Sequence, residues 1–158
     1  LNLFGGNNEG LFEPDRKITR AEFAKVMAAL LGADLSGYGG ASYTDVAETA
    51  WYAPAVAWAK ENGVMNGYGD TFRPDAPITR EEMCKVFFNI LSPNLESPAS
   101  GTFQDDRAIS GWAREAVYYC SGLGLIQGDE HSRCNPGSST LRSEAATVFV
   151  RCSKLTAA

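Results

Sequence analysis

Apolar residues recur with helical spacing in two closely matched stretches of the chain. Phe23, Val26, Met27, Leu30 and Leu31 fall at i, i+3, i+4, i+7 and i+8, and Met83, Val86, Phe87, Ile90 and Leu91 repeat that stripe. Each stripe predicts an amphipathic helix that buries one face. Thr19 with Glu22, and Thr79 with Glu82, have the T-x-x-E spacing of a capping box, which places the helix starts. Shorter helices, each opened by a tryptophan, are predicted over roughly 51–62 and 112–121, with Pro54 in a first turn that tolerates it. Gly63 and Gly67 bracket a turn, and Tyr68-Gly69-Asp70 leads into Phe72-Arg73-Pro74-Asp75, which cannot continue as helix. The stretches 32–42 and 92–102, rich in Gly, Ser, Pro and Ala, read as linkers.

These elements belong to an internal repeat. At a shift of 60, ten of the 20 residues from 12 to 31 recur unchanged, among them Phe12, Pro14, Ile18, Thr19, Arg20 and Glu22. A further shift of 62 keeps Pro136, Arg142, Glu144 and Val148. The tryptophan block repeats at a shift of 61, with Trp51, Ala55, Val56, Gly63 and Gly67 becoming Trp112, Ala116, Val117, Gly124 and Gly128. Each unit reads as an aromatic-x-Asp, a Trp-led helix, a glycine loop and a second helix. The expected organisation is a partial repeat at 1–35, opening on the remnant Leu3-Phe4-Gly5-Gly6, and two full repeats at 43–92 and 103–155. In the third, Leu141 stands where the capping threonine should be, so Thr140 or Ser139 becomes the candidate cap. The fold class is all-α: three helical hairpins with structured loops.

Composition narrows the function. With 14 Lys plus Arg against 19 Asp plus Glu, the formal net charge is -5. That excludes general nucleic-acid binding, which depends on neutralising many phosphates. Every apolar run is interrupted by a charge or glycine well short of the roughly 18 to 20 residues of a membrane helix, so no membrane span is expected. An anionic partner would have to be met by local basic pockets.

The order Tyr43-x-Asp45, Trp51, Gly63-Val64-Met65-x-Gly67, Phe72-Arg73-Pro74 and Ile78-Thr79-Arg80-Glu81-Glu82 resembles an S-layer homology repeat, and Ile18-Thr19-Arg20-Ala21-Glu22 is similar to that family's TRAE signature. The third unit, with Leu141-Arg142-Ser143-Glu144 and an altered loop from Asp129 to Ser139, is a weaker match. The resemblance implies a pseudo-threefold packing of the repeats with grooves between neighbours. It also implies an extracellular, non-covalent anchor to a secondary polysaccharide of the bacterial cell wall, often one carrying pyruvate ketals. No chemistry, cofactor or metal is implied.

The residues make such binding chemically sensible. Arg20, Arg80 and Arg142 sit in the first turns of their helices, where the helix dipole disfavours a cation by a few tenths to about 1 kcal/mol. A carboxylate ligand would account for them, because free amides, the dipole and a forked guanidinium form an anion site. The competing reading is an ion pair with Asp15 or Asp75. Trp51 and Trp112 are either core or platforms for a sugar. Asp45 and Asp105 either cap their helices or accept sugar hydroxyls. The loop at Gly67 and Tyr68 lacks the Lys-Ser/Thr of a phosphate loop and the oxygen ligands of a calcium loop, so its glycines suggest close approach of backbone to a sugar, with Tyr68 as platform. Gly128 is the equivalent glycine of the third repeat, where the tyrosine is missing.

Cys84, Cys120, Cys134 and Cys152 occupy positions held by apolar residues in other repeats, which reads as small core hydrophobes. A mixed Cys/His zinc site with His131, a Cys134–Cys152 or Cys120–Cys134 disulfide, and a Cys134/His131 nucleophile are the lesser alternatives. Two other function classes stay open. One is a lattice or protein-interaction module that keeps the fold without sugar binding; the other is a small hydrolase using Asp105, Asp106 or Glu115. Finally, three full units of 60 to 62 residues would need about 18 more residues than the chain has. Those residues would supply a Trp-led helix to the first repeat, so a partner segment or a second copy is expected to complete it.

Overall fold

The computed structural model describes residues 12–40 and 42–157. The Leu3–Gly6 remnant lies outside them. Among the described residues there are five α-helices, one 3-10 turn and only isolated β-bridges, so the chain is all-α. The helices are α1 (Arg20–Leu30), α2 (Ala53–Glu61), α3 (Arg80–Leu91), α4 (Arg114–Gly122) and α5 (Arg142–Thr156). The chain forms two compact units, residues 1–78 and 79–158.

In unit 1, α1 packs on α2. The stripe on α1 is buried at Phe23, Val26 and Met27, and it meets a core that includes Val56, Ala59 and Phe72. Each such side chain stabilises the fold by about 1.5–3 kcal/mol through burial. Thr19 caps α1 with a complete box: its Oγ1 accepts from the Glu22 amide at 3.1 Å, and the Glu22 carboxylate accepts from the Thr19 amide at 3.3 Å. Leu31 departs from the expected stripe. The helix ends one residue earlier, so Leu31 is the C-cap and is 45% exposed, while its counterpart Leu91 is the last residue of α3 and is buried.

In unit 2, α3 packs on α4, and Phe87 of α3 meets Phe149 of α5 edge-to-face with centroids 5.5 Å apart. The packed pairs therefore join the second helix of one sequence repeat to the Trp-led helix of the next, where the repeat pattern suggested hairpins within a repeat. The α5 start differs from its relatives. Thr140 is fully buried with no hydrogen-bond partner for its hydroxyl, so it does not cap the helix. Only half of a box survives, with Glu144 accepting from the Leu141 amide at 3.0 Å, because a leucine side chain has no acceptor to offer.

The loops before the second helices share an unusual backbone. Glu13, Arg73 and Asn135, each preceding a proline, adopt φ of 53°, 56° and 50°. Non-glycine residues rarely occupy this region, and it costs about 1–3 kcal/mol unless the surroundings impose it.

Candidate functional site

Asp45 and Asp105 impose that backbone in the second and third repeats. The Asp45 carboxylate accepts from the amides of Phe72 and Arg73, both at 2.8 Å, and Asp105 accepts from those of Cys134 at 2.9 Å and Asn135 at 2.8 Å. Consecutive amides turned onto one oxyanion form a nest. These aspartates neither cap the Trp-led helices nor stand free; each pins the loop 27 to 30 residues downstream. Burial raises both carboxyls, but the amide hydrogen bonds outweigh it, and both lie below the usual 3.8.

The pinned loops then receive the arginines. In unit 1, Arg20 donates from Nε to the Phe72 carbonyl at 2.8 Å and from Nη2 to the Asn66 carbonyl at 2.9 Å. Its guanidinium lies 4.9 Å from the Tyr68 ring centroid and 4.8 Å from that of Phe72, and the residue is only 4% exposed. In unit 2, Arg80 repeats the first bond, Nε to the Cys134 carbonyl at 2.8 Å. Its Nη1 lies a loose 3.5 Å from Glu144 Oε2, and its side chain keeps 16% of its exposure. Arg142 is 5% exposed. Neither Asp15 nor Asp75 pairs with Arg20 or Arg80; backbone carbonyls take that place.

The starts of α1 and α3 are not open anion sites. In α1 the amides of Arg20 and Ala21 donate to the carbonyls of Ala76 and Pro74, at 2.9 and 3.0 Å. In α3 those of Arg80 and Glu81 donate to Ser138 and Pro136, at 2.9 and 3.0 Å. The third amide in each case is met by the capping threonine. This corrects the expectation of free amides: the chain itself fills the orphan donors that a helix start leaves.

Unit 2 also holds a polar cavity of about 390 Å³, lined among others by Arg80, Gln127, Gly128, Asp129, Asn135 and Glu144. A loop one residue longer than in the second repeat shapes it. Asp129, standing where Tyr68 stands in the other loop, gathers the amides of His131 and Arg133 at 2.8 and 3.0 Å and the side chains of Arg133 and Asn135. The bond from the Arg133 amide, ahead of the slight opposing effect of burial, holds its carboxyl far below the usual range.

Gly67 and Gly128 also differ. A β-carbon at Gly67 would come within 2.3 Å of the Thr71 carbonyl and 2.5 Å of the Tyr43 ring, and its amide donates to the Tyr43 hydroxyl at 3.0 Å. Its lack of a side chain serves the protein's own packing. At Gly128 the nearest atoms would be 3.1 Å away. Trp51 and Trp112 sit in the turns before α2 and α4 and are 58% and 54% exposed, so neither ring belongs to the core. Lys25 Nζ lies 5.1 Å from the Trp51 ring, and Arg73 stacks on the exposed Tyr68 at 4.0 Å. Sequence reasoning overlooked Arg133, Asn135 and Glu144; an insertion carrying a cation beside Gly128 was the available signal.

The four cysteines are free and buried, so neither disulfide considered from the sequence is present. Cys120 Sγ donates to the Cys84 carbonyl at 3.5 Å. Burial, with the Asp105 charge behind it, pushes the Cys134 thiol up to about 12, which opposes the thiolate a nucleophile needs. His131 is exposed, and among the described residues no group of three or more His, Cys, Asp or Glu side chains is placed to hold a metal. Nor is any helix among them long and apolar enough to cross a membrane.

The repeated unit of pinned loop, inserted arginine and capped helix has a counterpart among known proteins: the profile of the S-layer homology domain matches residues 1–24, 42–84 and 102–146. The chain belongs to the S-layer homology family. This is the family of S-layer and cell-surface proteins held at the cell wall. The domain is 36% identical over 158 residues to the Cell surface glycoprotein 1 of Acetivibrio thermocellus, covering 92% of this chain and 7% of that protein. It is 32% identical over 148 residues to the Cellulosome-anchoring protein of the same organism, covering 90% of this chain and 33% of that protein. It is also 33% identical over 152 residues to the Amylopullulanase of Thermoanaerobacterium thermosulfurigenes, covering 94% of this chain and 8% of that protein. The S-layer homology domain thus spans a third or less of each relative.

Proposed function

We propose that this S-layer homology domain is a cell-wall anchoring module that performs no chemistry and binds an acidic, pyruvate-bearing secondary polysaccharide in grooves between its repeats. The observation that carries the reading is the Arg80 cavity. There a guanidinium from the second repeat keeps N–H groups toward a polar pocket built by the third, and a carboxylate ligand would take a charge-assisted, forked hydrogen bond from it. Displacing the loose Glu144 contact costs little, since the pair is at 3.5 Å and partly exposed. Asp105 and Gly128 support the pocket by fixing its loop. The exposed Trp51, Trp112 and Tyr68 offer rings on which sugar faces can stack.

Anchoring, there of a cellulosome, is also what the name of the Cellulosome-anchoring protein states of that relative. The test is co-sedimentation with wall sacculi before and after extraction of the secondary polymer. Binding should be lost with the polymer, and Arg80→Ala should weaken binding to intact sacculi at least tenfold, about 1.4 kcal/mol. Equal binding to both preparations would sink the proposal, and assembly that rises with protein concentration but ignores the polymer would favour a lattice-forming module instead.

A further inference from the structure

Two cavities of unit 2 meet at Arg80. The larger is the pocket of about 390 Å³ described above. The smaller, about 170 Å³, lies between Leu125 and Ile126 on one side and the face of α5 bearing Thr147 and Arg151 on the other. Arg80, Gln127 and Glu144 line both, so the two form one groove with the Arg80–Glu144 contact at its waist. Ligand clefts usually hold roughly 300–1,000 Å³. The smaller cavity falls below that range by itself and gains meaning as an extension of the larger one.

Arg151 is what the extension adds. Its Nη1 donates to the Leu125 carbonyl at 3.1 Å, which fixes a flexible side chain against the cavity wall before any ligand arrives. In the other repeats the equivalent residues are Ala29 and Asn89, so the helix does not need a cation there. Glu144 is the one carboxylate lining the smaller cavity, and it stands among the guanidinium groups of Arg80 and Arg151. The extension therefore carries an excess of positive charge inside a chain whose net charge is -5. Such focusing favours an anionic group over a neutral sugar.

We propose that the groove has a second subsite, in which Arg151 receives an oxyanion of the sugar residue adjoining the one held at Arg80. The proposal rests on the reading of the Arg80 pocket given above. It makes the domain a reader of polymer length: a fragment that spans both subsites binds more tightly than a single acidic residue.

The test uses fragments of the secondary polysaccharide released from bacterial walls under conditions that keep its acid-labile pyruvate ketals, and separated into single-residue and longer fractions. Each is titrated calorimetrically into the full chain and into the Arg80→Ala, Arg151→Gln and Arg151→Lys variants. Arg151→Gln keeps a donor for the Leu125 carbonyl, and Arg151→Lys keeps the charge should the first variant unfold. Arg151→Gln should weaken the longer fraction about tenfold and leave the single residue unchanged within about twofold, with Arg151→Lys between. Arg80→Ala should weaken both fractions. Unchanged affinity of the longer fraction in both Arg151 variants, with Arg80→Ala still weakening both, overturns the subsite and leaves the pocket standing. Unchanged affinity of both fractions in Arg80→Ala overturns the pocket reading and the subsite with it.

Discussion

Arg20 and Arg80 occupy the same place in the same motif, yet the two units use them differently. In unit 1 the guanidinium is closed in by two carbonyls and two aromatic rings and is 4% exposed. In unit 2 the Nε bond is kept, but the tyrosine lid is gone, Asp129 draws the loop onto itself, and the guanidinium borders an open cavity. The shared bond from arginine Nε to the pinned loop is the structural part of the motif. Whatever the rest of the guanidinium meets is free to vary, so a motif residue that is a lock in one repeat borders an open cavity in the next.

Removing each arginine should separate those parts. Arg20→Ala deprives the buried Phe72 carbonyl and the part-buried Asn66 carbonyl of a charged donor, and hydrogen bonds to charged groups contribute about 1.5–3 kcal/mol each, the part-buried one at the lower end, so the loss should be about 3–4 kcal/mol in urea denaturation. Arg80→Ala loses one such bond and a weak exposed contact, and should cost about 1–2 kcal/mol. Equal losses would show that the lids do not matter to the lock.

The loop glycines carry the comparison one step further. Gly67→Ala drives a β-carbon into the Thr71 carbonyl and the Tyr43 ring, and relief requires the loop to shift, at about 2–3 kcal/mol. Gly128→Ala meets atoms no nearer than 3.1 Å and should cost under about 1 kcal/mol. If both variants melt alike, the longer loop of unit 2 is not the more accommodating one.

How much of this was readable in the chain follows from the range of each interaction. The capped starts of α1 and α3 and the stripes at Phe23–Met27 and Met83–Phe87 were legible because their signals lie within a few residues of one another. Asp45 and Asp105 were misread because their partners lie 27 to 30 residues away, and no local pattern distinguishes a helix cap from a distant loop anchor. The left-handed Glu13, Arg73 and Asn135 were invisible for a similar reason: a residue before proline gives no hint of φ near +50° unless the group that holds it is known. Trp51 and Trp112 were read as opening their helices, although they stand in turns ahead of them. The arginines stood out at the helix starts, but the carbonyl partners of Arg20 and Arg80 belong to the following repeat.

Repeat 3 offers a repair that sharpens the contrast between the helix starts. Where α1 and α3 are preceded by Ile-Thr, α5 has Thr140-Leu141, with the two chemical types exchanged. A buried hydroxyl without a partner is left at Thr140 while the cap position has no oxygen. Thr140→Ile with Leu141→Thr restores the order. The apolar fill removes an unsatisfied group and the new hydroxyl caps the helix at about 1 kcal/mol, for a combined gain of about 2 kcal/mol. A double variant less stable than the parent chain would mean that the pocket at residue 140 is too small for isoleucine.

The smallest effect concerns acid. Asp45 and Asp129 each organise a loop through backbone amides, and both carboxyls titrate below their ordinary 3.8, Asp129 much further. A carboxyl whose value falls on folding stabilises the structure above its unfolded value, and that contribution fades as the pH drops through the folded one. Between about pH 5 and 2, then, the unit 1 loop should lose its anchor first. In an NMR titration the amides of Phe72 and Arg73, which report on Asp45, should move at a higher pH than those of His131 and Arg133, which report on Asp129. Asp45→Asn should abolish the first movement and leave the second. Coincident midpoints would show that the two loops release as one, and that the added aspartate gives unit 2 no greater hold on its longer loop.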